Sequence, residues 1–395
     1  MESFFLFSEK KNYSISSCFL IYYEHFKTQR IGENMVDYRK KVGIYTIYSN
    51  ESYGAMLQAF SLVYTINKMG NDVNVISTNN NEKLMPIPHS ANDFFKILRV
   101  LKNYKKMKSR FNLFESFKKE YLKVIDSNYY EKCDLLITGS DQTLNLDLYA
   151  FKDVFLQEHN TKITKATYAS SFGEKLNVIK NNPAKKERII KALNDFDFLS
   201  VREKDSCEYL NKNLNKHVEL VLDPTMLLTK EDLSIFNLKK LIDEEYILYF
   251  AVLNSQEFVD ELSAYAKKHN LKIVAVHLQN RFEMKSKFDY YIDAGPIEFL
   301  SLIKYAKFII TTSFHGTVYS LMFEKNFYAY DFEGASRIKT LLSYVDLNDR
   351  CGTDLDCISQ LKEINYKNVN KLLGIRRKDS IEYLEKVLEG KANYE

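Results

Sequence analysis

The chain has 395 residues, of which 45% are hydrophobic and 27% are charged. This composition excludes a disordered or fibrous protein, and at roughly 100–200 residues per domain the length predicts two domains. Lys and Arg number 56 against 52 Asp and Glu, so the net charge of +4 produces no field that favours a nucleic acid, and no nucleic-acid partner is expected.

The cysteines and the apolar runs indicate a cytoplasmic protein. The five cysteines form no CxxC pair, which argues against a zinc knuckle and against a disulfide-stapled secreted domain. No apolar run approaches the ~20 residues of a membrane span, and no signal-peptide cleavage site follows the run at 18–23. Peripheral contact with the inner face of the membrane is compatible with these features.

The first 76 residues divide into two parts. Residues 1–41 show no helix-length periodicity and form an N-terminal extension without an assigned structure, and Met35 is an alternative natural start that would leave 1–34 as an extension. Beyond it, strand 42–48, a helix that stops at Gly70 and strand 73–76 predict a βαβ unit.

Strands and helices alternate through the rest of the chain. The predicted strands are 135–138, 166–169, 198–201, 218–222, 247–253, 272–277, 308–312 and 327–330, and the predicted helices are 184–196, 203–210, 231–242, 257–268, 297–305, 317–323 and 368–388. Two successive alternating halves predict an α/β fold with two Rossmann-like domains that face a cleft. The expected domains are 42–225, with a basic helical insert at 93–123, and 226–366, and a C-terminal helix in 367–395 could pack back on the first domain.

The insert at 93–123 carries ten basic residues against three acids, with apolar residues at helical spacing. Two interpretations of this insert remain open. One is a solvated pair of basic helices, and the other is a cationic amphipathic surface that attracts an anionic lipid headgroup or a phosphorylated acceptor.

Candidate site residues follow the predicted strands, because ligands of open parallel sheets lie beyond the carboxyl ends of the strands. After the first strand come Asn50 and Gly54, where a glycine at a helix start lets the backbone approach an anion. Later strands are followed by Ser140 and Asp141, by Ser171, and by Arg202. Ser140 suits a helix cap as well as a ligand, Ser171 suits an ordinary turn, and Arg202 can pair with Glu203 or grip a carboxylate or phosphate.

The segment 311–317 has the strongest functional signal. Ser313, His315, Gly316 and Thr317 place hydroxyls, an imidazole and helix N–H groups at one strand end, where they converge on an anion. Of the seven histidines, His315 alone is the candidate catalyst. Arg337 is a candidate second cationic clamp, and no metal site is expected, since the Asp195-Phe196-Asp197 triplet sits at a helix-to-strand junction.

An ordered set of short motifs resembles the polysaccharide pyruvyl transferase family over roughly residues 42–350. The matching pieces are Asn50…Tyr53-Gly54-Ala55…Leu57-Gln58, Gly139-Ser140-Asp141-Gln142…Asn145, Ser171-Phe172-Gly173, Ser200-Val201-Arg202-Glu203, Asp223-Pro224-Thr225 and Ser313-Phe314-His315-Gly316-Thr317. The resemblance implies a GT-B-like enzyme without a cofactor. Such an enzyme takes pyruvate from phosphoenolpyruvate and attaches it as a cyclic ketal to a sugar of a capsule, exopolysaccharide or cell-wall polymer, often on a lipid carrier.

The resemblance also assigns roles to the candidate residues. Arg202 and Arg337 would hold the phosphate and carboxylate of phosphoenolpyruvate, with help from the N–H groups of Gly316 and Thr317. His315 would transfer a proton or stabilise the phosphate, and Asp141 would take protons from the acceptor hydroxyls.

Two other classes of protein fit the same residues. A GT-B glycosyltransferase would use the same arginines and histidine to grip the diphosphate of a nucleotide sugar. A two-lobed binding protein or an inactive scaffold of a polysaccharide assembly complex would bind a ligand without turning it over.

Overall fold

The computed structural model describes residues 39–48, 52–78, 108–148, 151–158, 162–252, 255–276, 288–332 and 336–390. The predicted extension 1–41 falls almost entirely outside these ranges. Asn50 and the part of the basic insert from 93 to 107 also lie outside the described residues.

The first half is built on parallel strands whose order departs from the order of the chain. The strands are β1 (Lys41–Tyr45), β2 (Asp72–Ile76), β3 (Val124–Ile125), β4 (Leu135–Thr138), β5 (Thr164–Thr167), β6 (Leu199–Val201) and β7 (Val218–Leu220). They pair in the order β3-β2-β1-β4-β5, and the β6-β7 pair continues this sheet through bridges from Ala166 to Phe198 and from Ser170 to Val201.

The second half repeats this arrangement. Its strands are β8 (Tyr246–Phe250), β9 (Lys272–Val276), β10 (Tyr290–Ile292), β11 (Phe308–Thr311), β12 (Phe327–Tyr330) and β13 (Cys351–Gly352), paired in parallel in the order β10-β9-β8-β11-β12-β13. Both sheets therefore have the doubly wound order, which reverses between β1 and β4 and again between β8 and β11. Ligands of such sheets lie at the carboxyl ends of the strands near the reversal.

The helices connect these strands and cover the sheets. They are α1 (Tyr53–Lys68), α2 (108–121), α3 (Leu176–Lys180), α4 (Pro183–Asn194), α5 (Lys204–Asn213), α6 (Gln256–Lys268), α7 (Pro296–Tyr305), α8 (Phe314–Met322), α9 (Ser336–Ser343) and α10 (Tyr366–Glu389). Helix α1 begins at Ser52, whose side chain accepts a hydrogen bond from the N–H of Ala55, and the chain leaves it through Gly70 at φ +89°. The two predicted Rossmann-like halves are thus confirmed.

One predicted helix is wrong. Residues 231–242 form only a short 3-10 turn, Asp232–Phe236, which ends at Asn237 in the left-handed conformation with φ +47°. The Asp232 side chain accepts hydrogen bonds from the Thr229 N–H at 2.9 Å and from Lys68 at 2.8 Å, which anchors the turn to α1. Contacts made by tertiary structure thus override a local pattern that favoured a helix.

An aromatic core joins the two halves. The ring of Tyr53 in α1 stacks on Phe299 of α7, with 4.4 Å between the ring centroids, and its hydroxyl donates to the carbonyl of Ala294 at 2.7 Å. Phe60 of α1 packs on Phe236, with 5.0 Å between centroids. The first turn of α1 is therefore held against the second half, close to the carboxyl ends of both sheets.

Helix α2, the described part of the basic insert, turns its apolar face inward. Phe114, Phe117 and Tyr121 are buried against the aromatic core, and Arg110 is also buried, with its guanidinium carbon 5.2 Å from the Tyr53 ring centroid. The amphipathic-surface interpretation gains no support from this part of the insert. No helix among the described residues is both long and apolar enough to cross a bilayer.

Helix α10 lies across the first half. The Ser380 hydroxyl accepts a hydrogen bond from the N–H of Leu222 at 2.9 Å, and the Tyr383 hydroxyl donates to the carbonyl of Thr167 at 2.7 Å. Both partners belong to strand ends of the first sheet. The helix therefore braces the edge at which the candidate site residues lie.

Candidate active site

Strand ends of the first half meet at the guanidinium of Arg202, which directly follows β6. Its Nη1 donates to Asp223 Oδ2 at 2.6 Å and to Ser140 Oγ at 3.3 Å, and its Nε donates to Glu203 Oε1 at 3.0 Å. Its Nη2 forms an ion pair with Asp141 Oδ1 at 3.5 Å. Only 3% of the side chain is exposed, so three carboxylates fix a charged group that water does not reach.

Asp223, just beyond β7, is the shared partner of these groups. Its carboxylate accepts hydrogen bonds from Ser140 Oγ at 3.0 Å and from Thr225 Oγ1 at 2.6 Å, and its Oδ2 lies 3.7 Å from His315 Nε2. Burial by itself would raise the pKa of Asp223, but His315, Arg202 and the Thr225 hydroxyl together hold that pKa far below its ordinary value. Asp223 is therefore an ionised carboxylate that binds Arg202 of its own half and faces His315 of the other half.

His315 lies in the first turn of α8, which directly follows β11. The backbone of Gly54 in α1 lies against the imidazole, since a Cβ atom at position 54 would be only 2.1 Å from His315 Nδ1. The opposite nitrogen, Nε2, is buried, faces Asp223 and has no hydrogen-bond partner. The ring is thus held between the two halves with Nε2 directed at the Asp223 carboxylate.

The other predicted residues of this segment build the turn that carries His315. Ser313 caps α8, with its hydroxyl accepting from the Gly316 N–H at 3.4 Å and its carbonyl accepting from the N–H of Thr317 at 3.0 Å and from the Thr317 hydroxyl at 3.1 Å. Gly316 packs closely on β11, where a Cβ atom would lie 2.2 Å from Thr311 Oγ1. In this arrangement these groups shape the turn, and their role as phosphate ligands stays a prediction.

Asp141 and Ser171 lie at the ends of β4 and β5 on the other side of Arg202. Asp141 adopts a left-handed conformation with φ +70°, which is uncommon for a residue with a side chain and points to a constrained loop. The Ser171 hydroxyl donates to Glu203 Oε1 at 2.6 Å and so fixes the carboxylate that holds Arg202. Burial raises the pKa of Glu203, although the nearby charge of Arg202 opposes that shift.

A cavity opens beside this cluster. It holds about 320 Å³ of empty space, part of it open solvent, and its lining includes Arg202, Glu203, Asp223, Phe314, Arg337 and Tyr344. The guanidinium carbon of Arg202 lies 5.2 Å from the centroid of the Phe314 ring. The two predicted arginines therefore share one cavity, an arrangement suited to a small ligand with more than one anionic group.

Sequence reasoning missed several residues of this site. Asp223 directly follows predicted strand 218–222, so its position at a strand end already marks it as a candidate ligand-binding residue. In the sequence it stands out only as part of the Asp223-Pro224-Thr225 motif. Glu203 entered the analysis only as a neighbour of Arg202. Tyr344 follows no strand, and no sequence signal marks it.

The carboxylates of the Asp195-Phe196-Asp197 triplet are engaged by a single lysine. Asp195 Oδ2 accepts from Lys165 Nζ at 2.6 Å, and Asp197 Oδ2 accepts from the Lys165 N–H at 2.8 Å. Within the described ranges, no group of three or more His, Cys, Asp or Glu side chains is arranged to hold a metal ion.

The fold and the site define a two-lobed α/β protein whose cavity, at the carboxyl ends of its strands, is lined by two arginines and two carboxylates. The family model described as "Polysaccharide pyruvyl transferase" matches residues 53–333, which is most of the sequence. The chain belongs to the polysaccharide pyruvyl transferase family. No curated protein matches it.

Solved structures share the fold at low sequence identity. The UDP-N-acetylglucosamine 2-epimerase of Rickettsia bellii is 11% identical with a TM-score of 0.52, and covers 89% of this chain and 97% of its own. The Neisseria meningitidis UDP-GlcNAc 2-epimerase bound to UDP-GlcNAc is 13% identical, with a TM-score of 0.51 and coverage of 88% and 100%. Arabidopsis thaliana UGT89C1 complexed with UDP-L-rhamnose is 12% identical, with a TM-score of 0.50 and coverage of 90% and 99%. These similarities show that the fold is GT-B-like.

Proposed function

We propose that the protein transfers pyruvate from phosphoenolpyruvate to a sugar of a surface polysaccharide, or of its lipid-linked precursor, as a cyclic ketal. The observation that carries this proposal is that Arg202 and Arg337 line one cavity, while His315 and Asp141 contact the same buried charge cluster. The proposal requires no cofactor beyond the donor substrate.

The arrangement around Arg202 supports binding of a small anion. Its Nη1 and Nε are held by Asp223 and Glu203, whereas Nη2 is buried and has no hydrogen-bond partner, its nearest charge being Asp141 at 3.5 Å. Nη2 of Arg202 and the guanidinium of Arg337 would bind the phosphate and the carboxylate of the donor. Because only 3% of the Arg202 side chain is exposed, its charge-assisted hydrogen bonds would be stronger than in water.

The reaction needs an acid and a base near one carbon atom. Protonation of the donor's methylene carbon makes C2 an oxocarbenium-like electrophile, and a sugar hydroxyl adds there as it loses its proton. Phosphate then leaves, and a second hydroxyl closes the ketal. In this proposal His315 transfers the proton or stabilises the phosphate while protonated, and Asp141 accepts protons from the sugar hydroxyls.

The acceptor and the cellular location are part of the same proposal. A saccharide on a lipid diphosphate would bring a cytoplasmic protein to the inner membrane face. The apolar residues Phe114, Phe117 and Tyr121 of α2 are buried, so in this proposal the contact is made through the acceptor rather than through the apolar face of this helix.

The test is to incubate the purified protein with phosphoenolpyruvate and a lipid-linked oligosaccharide pool. We expect release of inorganic phosphate and a mass gain of one pyruvate minus water. His315→Ala should lower this rate by ~10²–10⁴-fold, as is typical when a positioned acid or base is removed. His269→Ala, at an exposed position in the second half, is the matched control and should keep full activity. Full activity of His315→Ala would exclude His315 from the mechanism.

A nucleotide-sugar transferase is the alternative, because two of the similar structures carry a UDP-sugar. Release of a nucleoside diphosphate from a nucleotide sugar, without phosphate release from phosphoenolpyruvate, would establish it. Saturable binding without any product would instead indicate a binding protein or an inactive scaffold.

A further inference from the structure

Tyr344, which directly follows α9, is a residue of the cavity lining with an unused hydroxyl. The residue lines the cavity together with Arg202 and Arg337. Its hydroxyl oxygen is buried and has no hydrogen-bond partner among the described residues. Tyr344 therefore belongs to the cavity lining, and its hydroxyl serves no hydrogen bond that holds the fold together.

Such a hydroxyl is costly unless a ligand uses it. An unsatisfied buried donor destabilises the folded protein, and buried tyrosines usually find a partner. Burial also raises the pKa of Tyr344, so the phenol keeps its proton at neutral pH and can donate a hydrogen bond. It would thus be suited to an anionic acceptor.

The ring of Tyr344 is held from the side of α10. The guanidinium carbon of Arg376 lies 4.8 Å from the ring centroid, a cation–π contact that fixes the ring without using its hydroxyl. Because the ring is already held in place, little side-chain entropy would be lost when the hydroxyl binds a ligand.

We propose that the Tyr344 hydroxyl donates a hydrogen bond to an anionic oxygen of phosphoenolpyruvate bound between Arg202 and Arg337, which makes Tyr344 a donor-binding residue. This inference rests on the proposed function and adds one contact to it. Substitution of a hydroxyl that has no partner in the free protein breaks no hydrogen bond of the fold. Its effect on ligand binding is therefore easier to interpret than that of substituting an arginine.

Tyr249 provides the matched control. Its hydroxyl is also buried without a hydrogen-bond partner, but its ring packs on Phe258 and Phe288 in the core of the second half, and the residue does not line the cavity. Tyr344→Phe and Tyr249→Phe each remove one oxygen atom of the same chemistry. They differ in whether the residue lines the cavity.

The experiment is calorimetric titration of the wild type and both variants with phosphoenolpyruvate. Because a hydrogen bond to a charged group contributes about 1.5–3 kcal/mol, Tyr344→Phe should weaken binding by roughly 10-fold or more, while Tyr249→Phe should match the wild type. In turnover assays the KM for phosphoenolpyruvate should rise for Tyr344→Phe, and the KM for the acceptor should not.

The outcomes separate the inference from the proposed function. Equal affinity of Tyr344→Phe and the wild type would overturn the inference alone, whereas a wild type that binds no phosphoenolpyruvate would overturn the proposed function and the inference with it. Titrations with inorganic phosphate and with pyruvate show which end of the donor is contacted. A loss with phosphate assigns the hydrogen bond to the phosphate, and a loss with pyruvate assigns it to the carboxylate.

Discussion

The imidazole of His315 lies directly on the backbone of Gly54, although the two residues belong to different halves of the molecule. The contact brings the first turn of α1 against the first turn of α8. Any side chain at position 54 would displace the ring, because a Cβ atom there would come within 2.1 Å of Nδ1 and 2.7 Å of Cγ. Gly54 therefore sets the position of His315, and with it the distance to Asp223.

Gly54→Ala should impair activity through this contact. We expect a fall in kcat of about 10²-fold, since a misplacement of about 1 Å can cost that much, and a loss of about 1–3 kcal/mol in the free energy of unfolding from overpacking. Steady-state kinetics and urea denaturation measure the two effects.

Gly374→Ala is the control for this substitution. Gly374 lies inside α10, and nothing approaches within 4 Å of a Cβ atom built there. Alanine should raise the free energy of unfolding by about 0.5–1 kcal/mol and leave kcat unchanged. Unchanged kinetics of Gly54→Ala would show that His315 need not occupy this position.

The sequence could predict much of the site because the chemistry follows the ends of parallel strands. Ser140, Ser171, Arg202 and His315 were all selected by that rule, and each lies at such an end. The position of a residue at a strand end does not show that Asp223 contacts Ser140, Arg202 and His315 together. These contacts depend on the order of the strands and on the packing of the two halves. Tyr344 was out of reach for the same reason, because only the tertiary structure brings it to the cavity.

Asp223→Asn should destabilise the protein strongly. Removal of one partner of a buried ion pair leaves Arg202 without its closest counter-charge, which typically costs about 3–5 kcal/mol. Asp153→Asn is the control, because Asp153 pairs with Arg188 at the surface with 75% of its side chain exposed, and such pairs contribute about 0–1 kcal/mol. Urea denaturation of both variants measures the difference, and equal losses would contradict the buried charge cluster.

The buried carboxyl of Glu203 predicts a pH dependence of stability. Burial raises its pKa above the ordinary value of 4.5, so between 4.5 and the raised value the folded protein binds a proton that the unfolded chain has lost. The free energy of unfolding contributed by this group therefore falls as the pH rises through that window. Glu203→Gln cannot titrate, so its stability should fall less than that of the wild type between pH 4.5 and neutrality in urea denaturation.

Glu208→Gln is the control for the pH series. Glu208 lies in the exposed part of α5, with 59% of its side chain accessible. The free energy of unfolding of Glu208→Gln should change with pH in parallel with that of the wild type. Parallel curves for Glu203→Gln as well would show that Glu203 keeps an ordinary pKa in the folded protein.

Ser380→Ala should test whether α10 supports the site. The Ser380 hydroxyl is the acceptor for the N–H of Leu222, the residue before Asp223, so its removal strands a buried donor at a cost of about 1–3 kcal/mol. We expect the loss of this hydrogen bond to displace the backbone at Leu222, and with it Asp223 and Arg202. The KM for phosphoenolpyruvate should therefore also rise. Ser343→Ala, at an exposed hydroxyl of the last residue of α9, should change stability by less than about 0.5 kcal/mol and leave KM unchanged. A Ser380→Ala variant with reduced stability but an unaltered KM would limit α10 to a role in folding.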